Sequence, residues 1–152
     1  MNILFVCMGN VCRSPMAVGL LKKKFEENNI DGLVDSAGFE SYTINEPPDK
    51  RAIKTAEKYG IEVSGRARIF VKDDFDKFDK IYVMDMQNYR DVKDLTRNKS
   101  DIKKIDYLLN VLHPGKNETV PDPYSQGEYN CHVIFEILDK ATTKIAENIQ
   151  AN

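Results

Sequence analysis

Short runs of apolar residues recur along the chain, separated by longer stretches in which apolar positions return every three or four residues. Residues 2–7 contain the run Ile3-Leu4-Phe5-Val6, which ends in Cys7. A continuous apolar run this short marks a strand buried on both faces. Leu33–Ala37, Lys80–Met84 and Ile105–Leu109 read as three further strands. After the first strand, Ser14 is a favoured N-cap and Pro15 a favoured first helical residue, so a helix is expected to start there. Its apolar positions Ala17, Leu20, Leu21 and Phe25 share one face, and Asn28, Asn29 and Gly32 end it. A second helix is predicted from Asp49 to Tyr59, stopped by Gly60, and a polar helix from the third strand to about Asn98. A Pro- and Gly-rich loop spans about Asn110 to Gly127, and a final helix carries the stripe Cys131, Ile134, Phe135, Leu138, Ala141, Ile145 and Ile149. Strand-then-helix alternation predicts an α/β fold: three layers, with a four-stranded parallel sheet flanked by helices on both faces. No linker or repeat interrupts residues 1–152, which read as a single domain.

Composition narrows the class. Charged residues make up 30% of the chain and hydrophobic ones 41%, as in ordinary globular proteins. A net charge of -2 supplies no global basic field for nucleic acid. Lys22-Lys23-Lys24 reads as a solvated helix face. No apolar run is long enough to span a bilayer, and the start lacks a basic leader, so a cytoplasmic protein with no membrane partner is expected. Three sparse cysteines make no disulfide framework, which suits a reducing compartment where a reactive thiol persists. His113 and His132 lie in separate contexts without ligand spacing, so neither metal nor cofactor is expected.

The chemistry concentrates in Cys7-Met8-Gly9-Asn10-Val11-Cys12-Arg13-Ser14, between the first strand and its helix. In parallel sheets, ligands bind beyond the carboxyl ends of the strands, where Cys7 falls. Gly9 and Asn10 tolerate left-handed backbone, so the amides of Met8 through Ser14 can converge on one anion. The helix behind adds about half a positive charge at its N-terminus. Arg13 offers a planar fork that matches two phosphate oxygens. Such a field favours a thiolate, and a Cys7 thiolate beneath a bound phosphate is placed for in-line attack on phosphorus. A bare Cys-x5-Arg pattern arises by chance, and a cysteine ending a strand is often a small core residue. Its place between a buried strand and a helix start favours the catalytic reading.

Val6-Cys7-Met8-Gly9-Asn10-Val11-Cys12-Arg13-Ser14-Pro15 resembles the nucleophile loop of the low-molecular-weight protein tyrosine phosphatase family. Ser36-Ala37-Gly38, Asp49 with Arg51, Ala67-Arg68, Met84-Asp85 with Asn88, and Val120-Pro121-Asp122-Pro123-Tyr124 extend the likeness in order along nearly the whole chain. The resemblance implies a flavodoxin-like strand order 2-1-3-4 and metal-independent hydrolysis of phosphotyrosine proteins through a cysteinyl phosphate, by a monomer. Phenolate is a poor leaving group, so a proton donor is needed first and a base for water second. Locally Asp122 reads as a turn residue beside prolines, but the resemblance assigns it both jobs. A thiolate and a protonated aspartate must then coexist, which predicts a mildly acidic to neutral optimum.

The resemblance also implies that Tyr124 and Tyr42 wall the cleft, Tyr42 standing where the family often has Trp. It implies that Ser14 hydrogen-bonds the Cys7 thiolate, that Asn10 and Ser36 brace the loop, and that Cys12 protects Cys7 through a reversible disulfide. Gly65 departs from a His common in that brace, and Val18 from a common Glu. Cys131 is expected in the core. An arsenate reductase of the same fold would carry two more cysteines near the end of the third strand, and Tyr82–Tyr89 contains none. A protein arginine phosphatase would carry Thr in place of Val11. A non-catalytic phosphate-binding module, or a cysteine phosphoryl carrier, would have no need of Asp122.

Overall fold

The computed structural model describes residues 1–123 and 131–152. Strands β1 (Ile3–Val6), β2 (Val34–Ala37), β3 (Lys80–Val83) and β4 (Ile105–Tyr107) form one four-stranded sheet in the order β2-β1-β3-β4. All its pairings are parallel, as expected. Period-2 alternation sends successive β1 side chains to opposite faces. Ile3, Phe5 and Cys7 join a core with Met16, Leu20 and Leu21 of helix α1 (Arg13–Glu27) and with Phe135 and Leu138 of a long C-terminal helix. Leu4 and Val6 point the other way, into a second core with Phe75, Phe78, Ile81, Val83 and Val92. Truncating a core aromatic such as Phe5 to Ala would cost about 3–5 kcal/mol. Because both ends of this packing are buried, β1 fixes where Cys7 emerges.

Helix α2 (Lys50–Glu57) packs Ala52 and Ala56 into the first core, and its N-cap Asp49 accepts the Arg51 N–H at 2.8 Å. A four-residue helix α3 (Asp74–Lys77) precedes β3 and was not legible from periodicity. Helix α4 (Met86–Lys93) follows β3 but ends well before Asn98. Asn98 instead caps a separate helix α5 (Lys99–Lys104), its side chain accepting the Asp101 N–H at 2.9 Å. The strand expected to reach Leu109 stops at Tyr107, where a 3-10 turn over Leu108–Val111 takes over. Helix α6 (Cys131–Ala151) closes the described chain with the apolar stripe read from the sequence. Cys131 is a core residue, its thiol 3.6 Å from the Met16 sulfur.

The start of α1 corrects the sequence reading. The helix begins at Arg13, so Cys12 occupies the N-cap position and Ser14 lies inside the first turn. The loop turns early enough for the Cys12 carbonyl to accept the Met16 N–H at 3.1 Å. Pro15 stays within the first turn, where a missing N–H costs no hydrogen bond. At the other end Asn29 adopts a left-handed φ of 53°, and Ile30 N–H bonds back to Phe25 at 2.8 Å. This closes the helix much as a glycine would.

Candidate active site

Cys7 leaves β1 with 3% of its surface exposed, and its N–H still bonds the β2 end at Ala37. From there the chain turns through Met8–Cys12 into α1. Asn10 takes the left-handed backbone (φ 56°) that the turn requires, while Gly9 does not. A Cβ at Gly9 would stand 3.2 Å from a Glu40 carboxylate oxygen, the movable end of that side chain. Among the described residues the amides of Met8, Gly9, Asn10 and Val11 donate no hydrogen bond. Backbone donors in so enclosed a turn call for an acceptor, and an anion can supply it.

The turn is held from outside by the segment that follows β2. Phe39 and Glu40 N–H groups both donate to the Met8 carbonyl, at 2.8 and 3.1 Å. The Thr43 hydroxyl donates to the Gly9 carbonyl at 2.9 Å, and the Asp49 N–H to the Val11 carbonyl at 2.7 Å. Gly38 lies so near that a Cβ would meet the Met8 carbonyl oxygen at 2.7 Å and that of Cys7 at 2.9 Å. The carbonyls thus face the brace, which leaves the amides for the opposite side of the loop.

The expected Asn10–Ser36 brace is not formed as a hydrogen bond. Asn10 Oδ1 is buried and accepts no bond among the described residues, and the same holds for Ser14 Oγ. Both Asn10 and Ser36 instead line a hollow of about 90 Å³ that also borders Gly65. Gly65 adopts a φ of 93° with open space where a side chain would stand.

Arg13 is 7% exposed at the first position of α1. Its Nη1 donates to the Val120 carbonyl at 2.9 Å and to Asp85 Oδ2 at 3.4 Å. Among the described residues its other guanidinium donors make no hydrogen bond, so a fork remains for oxyanion oxygens. Asp85 is the N-cap of α4, and its second oxygen accepts the Asn88 N–H at 2.8 Å. The Val120 N–H in turn donates to the Met84 carbonyl at 2.7 Å. One guanidinium therefore ties the end of β3 and the segment that leads to Asp122 to the head of α1. Sequence reading missed Asp85 and Val120 as positioning residues. The Asp-x-x-Asn cap pattern was the available signal for Asp85, whereas a backbone carbonyl such as that of Val120 leaves none.

These pieces meet in one cleft of about 260 Å³ lined by Cys7 through Arg13, Glu40, Tyr42, Asp122 and Pro123. Tyr42 is 78% exposed and Asp122 also reaches solvent. A hydrogen bond to the Glu40 carboxylate, aided by its charge, raises the Tyr42 phenol above its ordinary range. Ser14 does not line the cleft, and Tyr124 lies outside the described residues. An enclosed sulfur, a fan of amides, a tethered guanidinium and an exposed carboxyl can together bind a tetrahedral oxyanion, attack it and exchange a proton with it.

Comparison with known proteins gives a consistent result. The sequence profile described as "Low molecular weight phosphotyrosine protein phosphatase" matches residues 2–152. A Gallus gallus protein of that name is 36% identical over 137 residues, spanning 89% of this chain and 87% of its own. The crystal structure of a protein tyrosine phosphatase from Entamoeba histolytica aligns with a TM-score of 0.90 at 33% identity, covering 99% of this chain and 97% of that one. A Drosophila arginine phosphatase aligns with a TM-score of 0.88 at 27% identity, covering 98% of each chain.

Proposed function

Because this chain belongs to the low molecular weight phosphotyrosine protein phosphatase family, we propose that it hydrolyses phosphotyrosine monoesters on proteins in two steps through Cys7. In the first step the thiolate forms a bond to phosphorus while the bond to the tyrosine oxygen breaks. Asp122 delivers its proton to that oxygen, so that tyrosine leaves neutral. In the second step the Asp122 carboxylate takes a proton from water as its oxygen attacks phosphorus. The sulfur–phosphorus bond breaks, which releases inorganic phosphate and restores the thiolate. The amides of Met8 through Ser14 and Arg13 stabilise the equatorial charge in both steps.

The reading is carried by one observation: Cys7, the uncommitted amides after it, Arg13 and Asp122 all border the same cleft. We take residues 1–152 as a single domain acting as a cytoplasmic monomer without cofactor, Tyr42 and Tyr124 as walls for the substrate ring, and Asn10, Ser14 and Ser36 as supports. Oxidation by peroxide, which is reduced to water, would couple the Cys7 and Cys12 thiols into a protective disulfide. Recovery of Cys7 as sulfinic acid with no bridge would contradict that role.

The direct test is turnover of phosphotyrosine peptides and 4-nitrophenyl phosphate in excess chelator. Sustained turnover that Cys7→Ser abolishes supports the proposal, and full activity in that variant contradicts it. Faster hydrolysis of phosphoarginine than of phosphotyrosine would overturn the choice of tyrosine, which leans on Val11.

A further inference from the structure

The cleft carries one charge that the reaction above leaves unused. Glu40 is half-buried at its edge, and its backbone N–H is fixed to the Met8 carbonyl at 3.1 Å. Its carboxylate rests against the phosphate loop, with Oε2 3.2 Å from the place a Gly9 Cβ would take. Among the described residues no Lys or Arg lies within 4.0 Å of it, and the nearest cation of the cleft, Arg13, is engaged with Asp85. The stretch 124–130 contains no Lys or Arg that could neutralise it. A carboxylate beside a binding site for a dianion weakens that site by like-charge repulsion. The cost is offset when the substrate brings a cation to the same spot. A cleft of about 260 Å³ has room for a phosphorylated ring and little else, so residues flanking it lie at the rim that Glu40 shares with Tyr42 and Asp122.

We propose that Glu40 is a specificity-determining residue that favours phosphotyrosines flanked by Lys or Arg and disfavours those flanked by Glu or Asp. The inference rests on the phosphatase reading and adds the charge class of its substrates. Tyr42 borders the same cleft, and its phenol is raised by the neighbouring Glu40 carboxylate. Exposed charge pairs are individually weak, so attraction to one peptide and repulsion of the other together are worth about three- to tenfold. The selection acts through encounter and binding, and salt diminishes it.

The test uses three phosphotyrosine peptides identical except for Lys, Ala or Glu on both sides of the phosphotyrosine, with 4-nitrophenyl phosphate alongside. The wild type is expected to rank them Lys, Ala, Glu in kcat/KM, by about three- to tenfold from first to last at low salt, with the spread shrinking at high salt. Glu40→Gln, which keeps the size of the side chain and removes its charge, should level the ranking, and Glu40→Lys should invert it. A flat ranking in the wild type, or one that survives Glu40→Gln, overturns the inference while leaving the phosphatase reading intact. Failure to turn over 4-nitrophenyl phosphate and every peptide would instead overturn the phosphatase reading, and this inference with it.

Discussion

The floor of the cleft and its rim are made differently. On the floor Cys7 and Arg13 are 3% and 7% exposed, and the turn between them is tied by carbonyls to the chain after β2. On the rim Tyr42 is 78% exposed, Asp122 is exposed and Glu40 is half-buried. Backbone donors and a tethered guanidinium recognise any phosphate, so the floor can be rigid and indifferent to the rest of the substrate. Exposed side chains meet what differs between substrates: the leaving group, the ring and the neighbouring charges. On the proposed mechanism, phosphate binding and attack fall to the enclosed floor, and proton transfer and selection to side chains at the rim.

Breaking the floor should cost most. Arg13→Ala removes both the fork and the tether to Val120 and Asp85. It should lower kcat/KM by about 10³-fold for all aryl phosphates alike and abolish competition by inorganic phosphate. A loss below tenfold with phosphate competition intact would place the oxyanion elsewhere. At the rim, Asp122→Ala should be selective rather than uniform. Hydrolysis of esters with poor leaving groups should fall by about 10²–10³-fold, and that of esters with acidic leaving phenols far less. An equal loss across leaving groups would remove Asp122 as the acid.

The brace between floor and rim can be tested through Gly38. A methyl group there meets two loop carbonyls at 2.7 and 2.9 Å, and backbone cannot swing aside as a flexible side chain would. Gly38→Ala should destabilise the fold by about 1–3 kcal/mol in denaturant titration and weaken phosphate binding. Unchanged stability and phosphate affinity would show that the loop is not held from that side.

The last effect lies far from the cleft and leaves turnover near neutral pH untouched. Burial, with help from Asp106, pushes the Tyr82 phenol up to about 12. The folded protein therefore holds this proton more tightly than the unfolded chain, in which tyrosine ionises near 10. Its contribution is complete below about pH 10 and is lost as the pH climbs toward 12, by about 2–3 kcal/mol in all. Tyr82→Phe should flatten stability over that window, and an unaltered alkaline slope would contradict it.

Much of this was legible in the sequence where one residue type has one physical use. The all-apolar run ending in Cys7, the parallel alternation and the Cys-x5-Arg spacing located the floor without coordinates. The helix start was read two residues late because Ser14-Pro15 is a strong local signal. The Cys12 carbonyl closed the turn first, leaving Ser14 inside the helix. Left-handed backbone was expected at both Gly9 and Asn10, yet only Asn10 adopts it, and a side chain at Gly9 would come close to Glu40. Such crowding comes from a segment some thirty residues away, so no local window could reveal it. The same holds for Val120, whose part is played by a carbonyl that every residue possesses.

The central claim is that the Cys7 sulfur itself accepts the phosphoryl group. Its most direct test is to quench Asp122→Ala with acid during turnover of an aryl phosphate and map the adduct by mass spectrometry. A single phosphate on Cys7, formed as the phenol is released and lost on slower hydrolysis, is the predicted result. Turnover with no adduct on Cys7, or with phosphate on another side chain, would contradict the account.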